Sequence, residues 1–296
     1  MPSLKALKNR ISSVKSTRKI TAAMKMVAAS KFRRAQERAE ASRPYALRMA
    51  SVLADLVRKT EFGDNPPELL VGKGKEETVL LIVMTSDRGL CGGFNGHVVR
   101  KTRKEIAALG AEGKTVKLIC VGRKGYALLR REHEDKMVLH QNTTKGQHVS
   151  FEDADELAAR LLEMFAQGEF DVARIVYNQF HSAISQEVTV KPLIPLPAFE
   201  EEEESVIKGL QALCEIFEPS QEAIIEKLLP RNISVQLMGC MHESAAGEQG
   251  ARMTAMDNAT RNAGDMIDRL TLNYNRSRQA YITNELIEII SGAQAV

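Results

Sequence analysis

The chain has 296 residues and nowhere a run of eighteen or more apolar ones, so it offers no membrane-spanning helix. Its start, from Leu4 to Ala29, is charged throughout and lacks the apolar centre of a secretory signal. The four cysteines, Cys91, Cys120, Cys214 and Cys240, are far apart with no C-x-x-C pair. They indicate buried free thiols rather than a disulfide framework or a zinc site. His133, His140 and His148 are too scattered to share a helix face as metal ligands. There is no G-x-x-x-x-G-K-[ST] phosphate loop, no G-x-S-x-G, no H-E-x-x-H and no defensible Ser, His and Asp set. The expectation is a soluble intracellular protein with no catalytic residue, metal or cofactor of its own.

What is present is charge, unevenly spread. Apolar residues make up 44% and charged residues 27%, enough for one substantial domain with extra elements or for two small ones. The net charge of +3 divides into +11 over residues 1 to 50, thirteen Lys and Arg against two Glu, and -8 over the remainder. A basic helix of this kind fits nucleic acid, a membrane surface or an acidic protein, or is merely a solvated face. Being poor in acid and containing serines, it also mimics an organelle transit peptide. Only Phe32 and Tyr45 are aromatic in this stretch, and no nucleic-acid-binding motif accompanies it.

Periodicity predicts one helix from Leu4 to about Lys59, with Leu4, Leu7, Ile11 and Val14 in 3-4-3 spacing and Ile20, Met24 and Val27 resuming it. Pro44 is expected to kink or split it. Gly63 to Lys75 reads as a loop. Thr78 to Thr85 is a continuous β-branched apolar run, the pattern of a central buried strand. A turn, SDRGLCGGFNG, leads into a helix from about His97 to Leu109. A strand at 116–122, a short helix at 124–131, a weaker strand at 137–140, an amphipathic helix at 151–166 and strands at 172–180 and 187–193 follow. Pro192 and Pro195 are expected to end the last strand. This alternation argues for a mostly parallel sheet with helices on its faces. The glycine turn sits where dinucleotide folds place their phosphate loop, but Gly89, Gly92, Gly93 and Gly96 do not make G-x-G-x-x-G, and a tight strand-to-helix turn is the favoured reading.

Glu200 to Glu204 is an acidic run with the pattern of a solvated loop. Helix resumes near Ser220, with Pro230 expected to kink or restart it. Met256, Ala259, Ala263, Met266 and Leu270, then Ile282, Leu286 and Ile289, continue an apolar stripe toward a stop at Ser291 and Gly292. Interior glycines, among them Gly239, Gly247 and Gly264, permit close backbone approach. Glu285 and Glu288 lie near the negative pole of the helix, where each carboxylate costs roughly 0.3–1 kcal/mol unless a basic group meets it. The layout is therefore α/β: a long antiparallel two-helix coiled coil of N- and C-terminal helices with an inserted Rossmann-like domain. Its seam of small residues sets Ala28, Ala29 and Ala35 against Ala255, Ala259 and Ala263. The parts are 1–60 for the first helix, 76–198 for the inserted domain, 199–219 for an acidic linker and 220–296 for the second helix.

The opening LKNRISSVKSTRKITAAMKMVAASKFRRAQ, the turn TSDRGLCGGFN and the ending RQAYITNELIEIISGAQAV closely resemble the γ-subunit family of F-type ATP synthases. The family pattern I-T-x-E-x-x-E-x-x-x-G-A is met at Ile282, Thr283, Glu285, Glu288, Gly292 and Ala293. A match from near Met1, with no thiol-regulatory cysteine insertion, replaces the transit-peptide reading by a bacterial form. The resemblance implies a non-catalytic rotor inside a ring of three α and three β subunits. Its inserted domain would sit with the ε subunit on the membrane c ring, giving peripheral attachment to the cytoplasmic face of the inner membrane and no role in binding nucleic acid. It further implies that Met24, Lys25 and the turn at Arg88 meet an acidic lever loop of β. Arg252, Gln279, Thr283, Glu285 and Glu288 would engage loops of the α/β ring. Ile287, Ile289, Ile290 and Val296 would lie in an apolar bearing, and Phe217 and Glu218, in the less well matched CEIFEP, would face ε and the c ring. The residues read without the resemblance leave a basic coiled-coil scaffold or a nucleic-acid-binding protein with a degenerate Rossmann-like domain as the alternative.

Overall fold

A computed structural model of the chain describes residues 3–60, 62, 66–146, 148–182, 185–196 and 220–294, with the backbone alone at 288 and 292–294. Cys214, Phe217, Glu218, Val296 and the acidic linker lie outside the described residues. The elements are α1 (Leu4–Lys59), α2 (Glu68–Val71), β1 (Thr78–Met84), α3 (Phe94–Ala111), β2 (Thr115–Val121) and α4 (Arg123–His133). After them come β3 (Met137–Gln141), α5 (Phe151–Ala166), β4 (Val172–Phe180), β5 (Gln186–Ile194) and α6 (Gln221–Gln294). Contacts divide the chain into two compact units, residues 1–30 with 252–296 and residues 31–251.

In the larger unit the strands form one sheet in the order β3-β2-β1-β4-β5. The first three pairings are parallel, and β5 returns antiparallel along β4. Strand β1 lies in the middle and is buried on both sides, as its unbroken TVLLIVM requires. Successive side chains alternate between faces. Leu80, Ile82 and Met84 meet Leu157, Leu161 and Phe165 of α5 and Ile233, Leu237 and Met241 of α6. Val79, Leu81 and Val83 meet Val98, Val99 and Ile106 of α3 and Leu129 of α4. A third cluster joins Leu53 and Leu56 of α1 to Leu196 and to Ile225 and Leu229 of α6. The start of α5 is set by a capping box, in which Ser150 Oγ accepts the Asp153 N–H and the Asp153 carboxylate accepts the Ser150 N–H.

In the smaller unit α1 and α6 are antiparallel. As the position on α1 climbs from Arg18 to Thr21 to Lys25, its neighbour on α6 falls from Gly264 to Thr260 to Asp257. Leu7, Ala28, Met256, Ala263 and Ile267 are buried along the seam.

Several expectations change. The 63–75 loop contains the single-turn helix α2. Pro192 does not end β5 but lies inside it, opposite Arg174 and beside a register shift, which an edge strand tolerates. Neither Pro44 nor Pro230 splits its helix. Ile20 and Val27 face outward instead of continuing the seam, and Met266 is exposed where Ile267 is buried. The stripe read from spacing is displaced by one position because Thr21 and Thr260, bonded hydroxyl to hydroxyl at 2.8 Å, occupy seam sites that an apolar count passes over. Of the seam alanines, Ala28 and Ala263 are buried, Ala29, Ala255 and Ala259 are half-buried, and Ala35 belongs to the larger unit. A Cβ on Gly239 would meet nothing within 4 Å, and one on Gly247 only ordinary contacts at 3.5 Å, so neither glycine is there for close approach. Helix α6 continues past Ser291 and Gly292 to Gln294. Glu285 therefore stands more than two turns from the end, where the helix dipole has little effect.

Candidate functional site

The sequence-derived contact residues fall in both units. In the smaller one, Met24 and Lys25 are half-buried at the seam. Lys25 Nζ donates to Asp257 Oδ1 at 2.6 Å, and Arg261 also pairs with Asp257. The hydrogen bond from Lys25, and secondarily that from Arg261, holds the Asp257 carboxyl below its usual range. The acidic complement expected from a partner is thus supplied in part by the chain itself. Lys25 keeps 45% of its side chain exposed, enough to share its remaining hydrogens with a second acid. Spacing did not reveal Asp257, since 232 residues separate it from Lys25. Only the antiparallel register brings it there.

Further along α6, Arg252 is half-buried, while Gln279, Thr283 and Glu285 are exposed. The Thr283 hydroxyl donates to the Gln279 carbonyl at 2.9 Å, a bond within its own helix. Ile287, Ile289 and Ile290 are 55%, 62% and 58% exposed. The Glu288 side chain is outside the described residues. By the register of the seam, Leu4 falls opposite about Arg278, so among the described residues nothing of α1 covers the helix from Gln279 onward. These isoleucines, with Ile282 and Leu286, form an apolar surface on a lone helix.

In the larger unit Arg88 is exposed in the turn after β1. Ser86 Oγ donates to the Arg88 carbonyl at 2.6 Å, and Asn95 Oδ1 accepts the Ser86 N–H at 2.9 Å. Leu90 is held in the left-handed region at φ 66° with its side chain largely in solvent. A β-carbon-bearing residue in this conformation is uncommon and carries strain. The Asp87 carboxylate accepts the N–H of Arg123, at the start of α4, and the N–H of Thr143, both at 3.1 Å. The chain's own acid therefore occupies the N-terminus of α4, the helix that follows β2. Gly122, at φ 103°, leaves no room behind it: a Cβ there would lie 2.1 Å from the Thr85 carbonyl oxygen. The tight-turn reading of SDRGLCGG fits this geometry.

Chemistry finds little purchase elsewhere. Among the described residues no cluster of His, Cys, Asp and Glu could hold a metal, and no helix is long and apolar enough to cross a membrane. Cys91, Cys120 and Cys240 are buried free thiols. Burial pushes Cys120 up to about 12 and Cys240 to about 11, so neither is a ready nucleophile.

The sequence profile of the family described as ATP synthase matches residues 3–296. The ATP synthase gamma chain of Sinorhizobium medicae is 54% identical over 296 residues, and that of Gluconacetobacter diazotrophicus 58% over 298, each match covering the whole of both chains. The chain belongs to the γ-chain family of ATP synthases. Among solved structures, a chain of the Tetrahymena thermophila mitochondrial ATP synthase central stalk and c ring is similar, with 28% identity, a TM-score of 0.59 and coverage of 81% of this chain and 99% of that one. A chain of the Euglena gracilis mitochondrial ATP synthase, in an assembly with OSCP, F1 and c ring, shares the fold at a TM-score of 0.68, with 22% identity and 99% and 94% coverage. As a γ chain, the protein is the central-stalk subunit of an F-type ATP synthase and a non-catalytic part of that complex.

Proposed function

We propose that the chain transmits torque between a membrane ion-driven ring and the nucleotide sites of three α and three β subunits. The observation that carries this is the end of α6, whose exposed Ile287, Ile289 and Ile290 have no cover among the described residues. Burying each in a sleeve of partner subunits would contribute about 1.5–3 kcal/mol. Val296 would complete that bearing. Gln279, Thr283, Glu285 and Glu288, on the same stretch, and Arg252 would engage ring loops. Met24, Lys25 and Arg88 would meet the acidic lever of a β subunit. A shaft of this kind makes no bonds. It makes different contacts with otherwise equivalent subunits and so biases each toward a different state.

The parts in this reading are helices at 1–60 and 220–296, an inserted domain at 76–198 and a linker at 199–219. Phe217 and Glu218 would face ε and the c ring, and the complex would hold the protein peripherally on the cytoplasmic face of a bacterial inner membrane. The test is to express the chain with its α, β and ε subunits and purify the complex. Ile287→Ser/Ile289→Ser/Ile290→Ser is expected to leave the isolated chain folded and to lower ATP hydrolysis coupled to proton pumping in membrane vesicles. Wild-type coupling by that variant, or a wild-type chain that never co-purifies with α and β, would sink the reading.

A further inference from the structure

The two helical layers on the sheet carry opposite charge. Helices α3 and α4, which pack side by side on one face, hold eight Lys and Arg against two Glu, a balance of +6. Helix α5, on the other face, holds one Arg against five Asp and Glu, a balance of -4. Three of the eight cations are answered locally: Lys101 by Glu105, Arg103 by Glu132 and Arg130 by Glu134. Arg100, Lys104, Arg123, Lys124 and Arg131 are exposed and have no acidic partner among the described residues. Neither helix has an acid in its first turn, and Arg123 and Lys124 stand at the positive end of α4. Like charges gathered on one face repel each other, and an anionic partner relieves that repulsion.

Arg131 alone of these five cations also lines an open depression of about 480 Å³ on α4, together with Tyr126, Ala127, Arg130 and Glu134. The Tyr126 ring stacks on His140 at 4.3 Å, and the Arg130 guanidinium lies 5.8 Å from its centre. Five of the eight cations are arginines, whose planar forks grip carboxylates in pairs. An ordered tyrosine set among arginines is the composition of a protein-binding hot spot. A lipid surface is served as well by lysine and rewards apolar insertion, for which α4 and β3 offer only the half-exposed Leu128 and Val138.

We infer that the outer face of α3 and α4 is a docking surface for an acidic protein, which places its carboxylates on Arg100, Lys104 and Arg131 and its apolar or aromatic contact in the depression at Tyr126. This inference stands independently of the torque reading, because none of these residues belongs to the ring contacts.

The experiment uses the full chain with fluorescein-labelled poly-L-glutamate, followed by anisotropy, with hydrogen exchange to locate the contact. Protection is expected on α3 and α4. Arg100→Glu/Lys104→Glu/Arg131→Glu should weaken binding roughly tenfold or more, several times more than the equal reversal Lys5→Glu/Lys8→Glu/Arg10→Glu on α1, whose own basic charge also draws the polymer. If the α3–α4 variant folds poorly by circular dichroism, the exchange map of the wild-type chain and a Tyr126→Ala variant decide the matter. Protection confined to α1, or equal losses from both triple reversals, would overturn the inference. So would phosphatidylglycerol vesicles binding through Arg100, Lys104 and Arg131 where poly-L-glutamate does not.

Discussion

The sheet domain and the seam of the smaller unit use opposite materials. In the first, Leu80, Leu81, Ile82, Leu118, Ile119, Leu157, Leu161 and Phe170 are fully buried. In the second, the seam buries only Leu7, Met256 and Ile267 among its described large apolar side chains, beside Ala28, Ala263, a Thr21–Thr260 hydroxyl pair and the Lys25–Asp257 bridge, while Ile20, Met26, Val27, Leu272, Ile282, Leu286 and Ile289 face outward. A domain that buries its large side chains is stabilised by its own core. A helix pair that hides few large side chains and displays more of them than it hides keeps apolar surface for something outside the pair. The difference separates a part that must hold shape from a part that must engage partners.

The sharpest way to break the first region without touching the second is Gly122→Ala. The new Cβ would lie 2.1 Å from a backbone oxygen, at a φ of 103° that L side chains rarely adopt, so β1 and the start of α4 must separate. We expect a loss of roughly 3 kcal/mol or more, measured by urea unfolding. Gly113→Ala is the control. It has φ 75° and open space around its Cβ position, and should cost only about 1 kcal/mol. Equal effects would show that backbone conformation, and not the crossing at Thr85, makes Gly122 necessary.

Much of the larger unit was legible because local signals agree with the tertiary result. Phe151–Ala166 and Val172–Phe180 have the expected bounds, the first because Leu157, Leu161 and Phe165 mark one buried face and the second because its β-branched residues pack on both faces of the sheet. The seam was less legible. Its register depends on which α1 residue meets which α6 residue more than two hundred positions away, and periodicity counts only apolar residues. Thr21 and Thr260 therefore escape such a count, which points Met266 inward where Ile267 is buried. The ring-contact residues came from likeness to a family, since a lone exposed isoleucine or lysine carries no local mark of its partner. Asp257 had no such mark either, and only the folded register identifies it as the group that Lys25 already holds.

A pH series probes a smaller difference between the regions. His242 of α6, in the larger unit, is nearly buried, and burial, with the charge of Arg38 on α1 and of His148 before α5, holds its imidazole below the ordinary value. The unfolded chain therefore binds a proton more readily than the folded one. Stability is highest above about pH 6.5 and falls as the pH drops through that value, by at most about 1.4 kcal/mol per unit. His242→Gln should flatten the curve between neutral pH and about pH 5. An unchanged slope would assign the loss to other groups.

The smallest effect belongs to the seam bridge. The folded state holds the Asp257 carboxyl low through Lys25 and Arg261, so its contribution is fully present above its unfolded value near 3.8 and disappears as the pH falls below that. Asp257→Asn should change the melting temperature of the isolated chain only a little near neutral pH, since a part-exposed ion pair screened by solvent contributes little. Its consequence should appear where Lys25 is shared. Freed from Asp257, the ammonium is wholly available to an acidic partner, so in the assembled complex Asp257→Asn should make coupling more sensitive to added salt, while Lys25→Gln should lower coupling and its salt dependence together. If both variants left the salt profile of the complex unchanged, the bridge would be no more than a clasp between two helices, and the outward isoleucines alone would have to account for engagement of the partner.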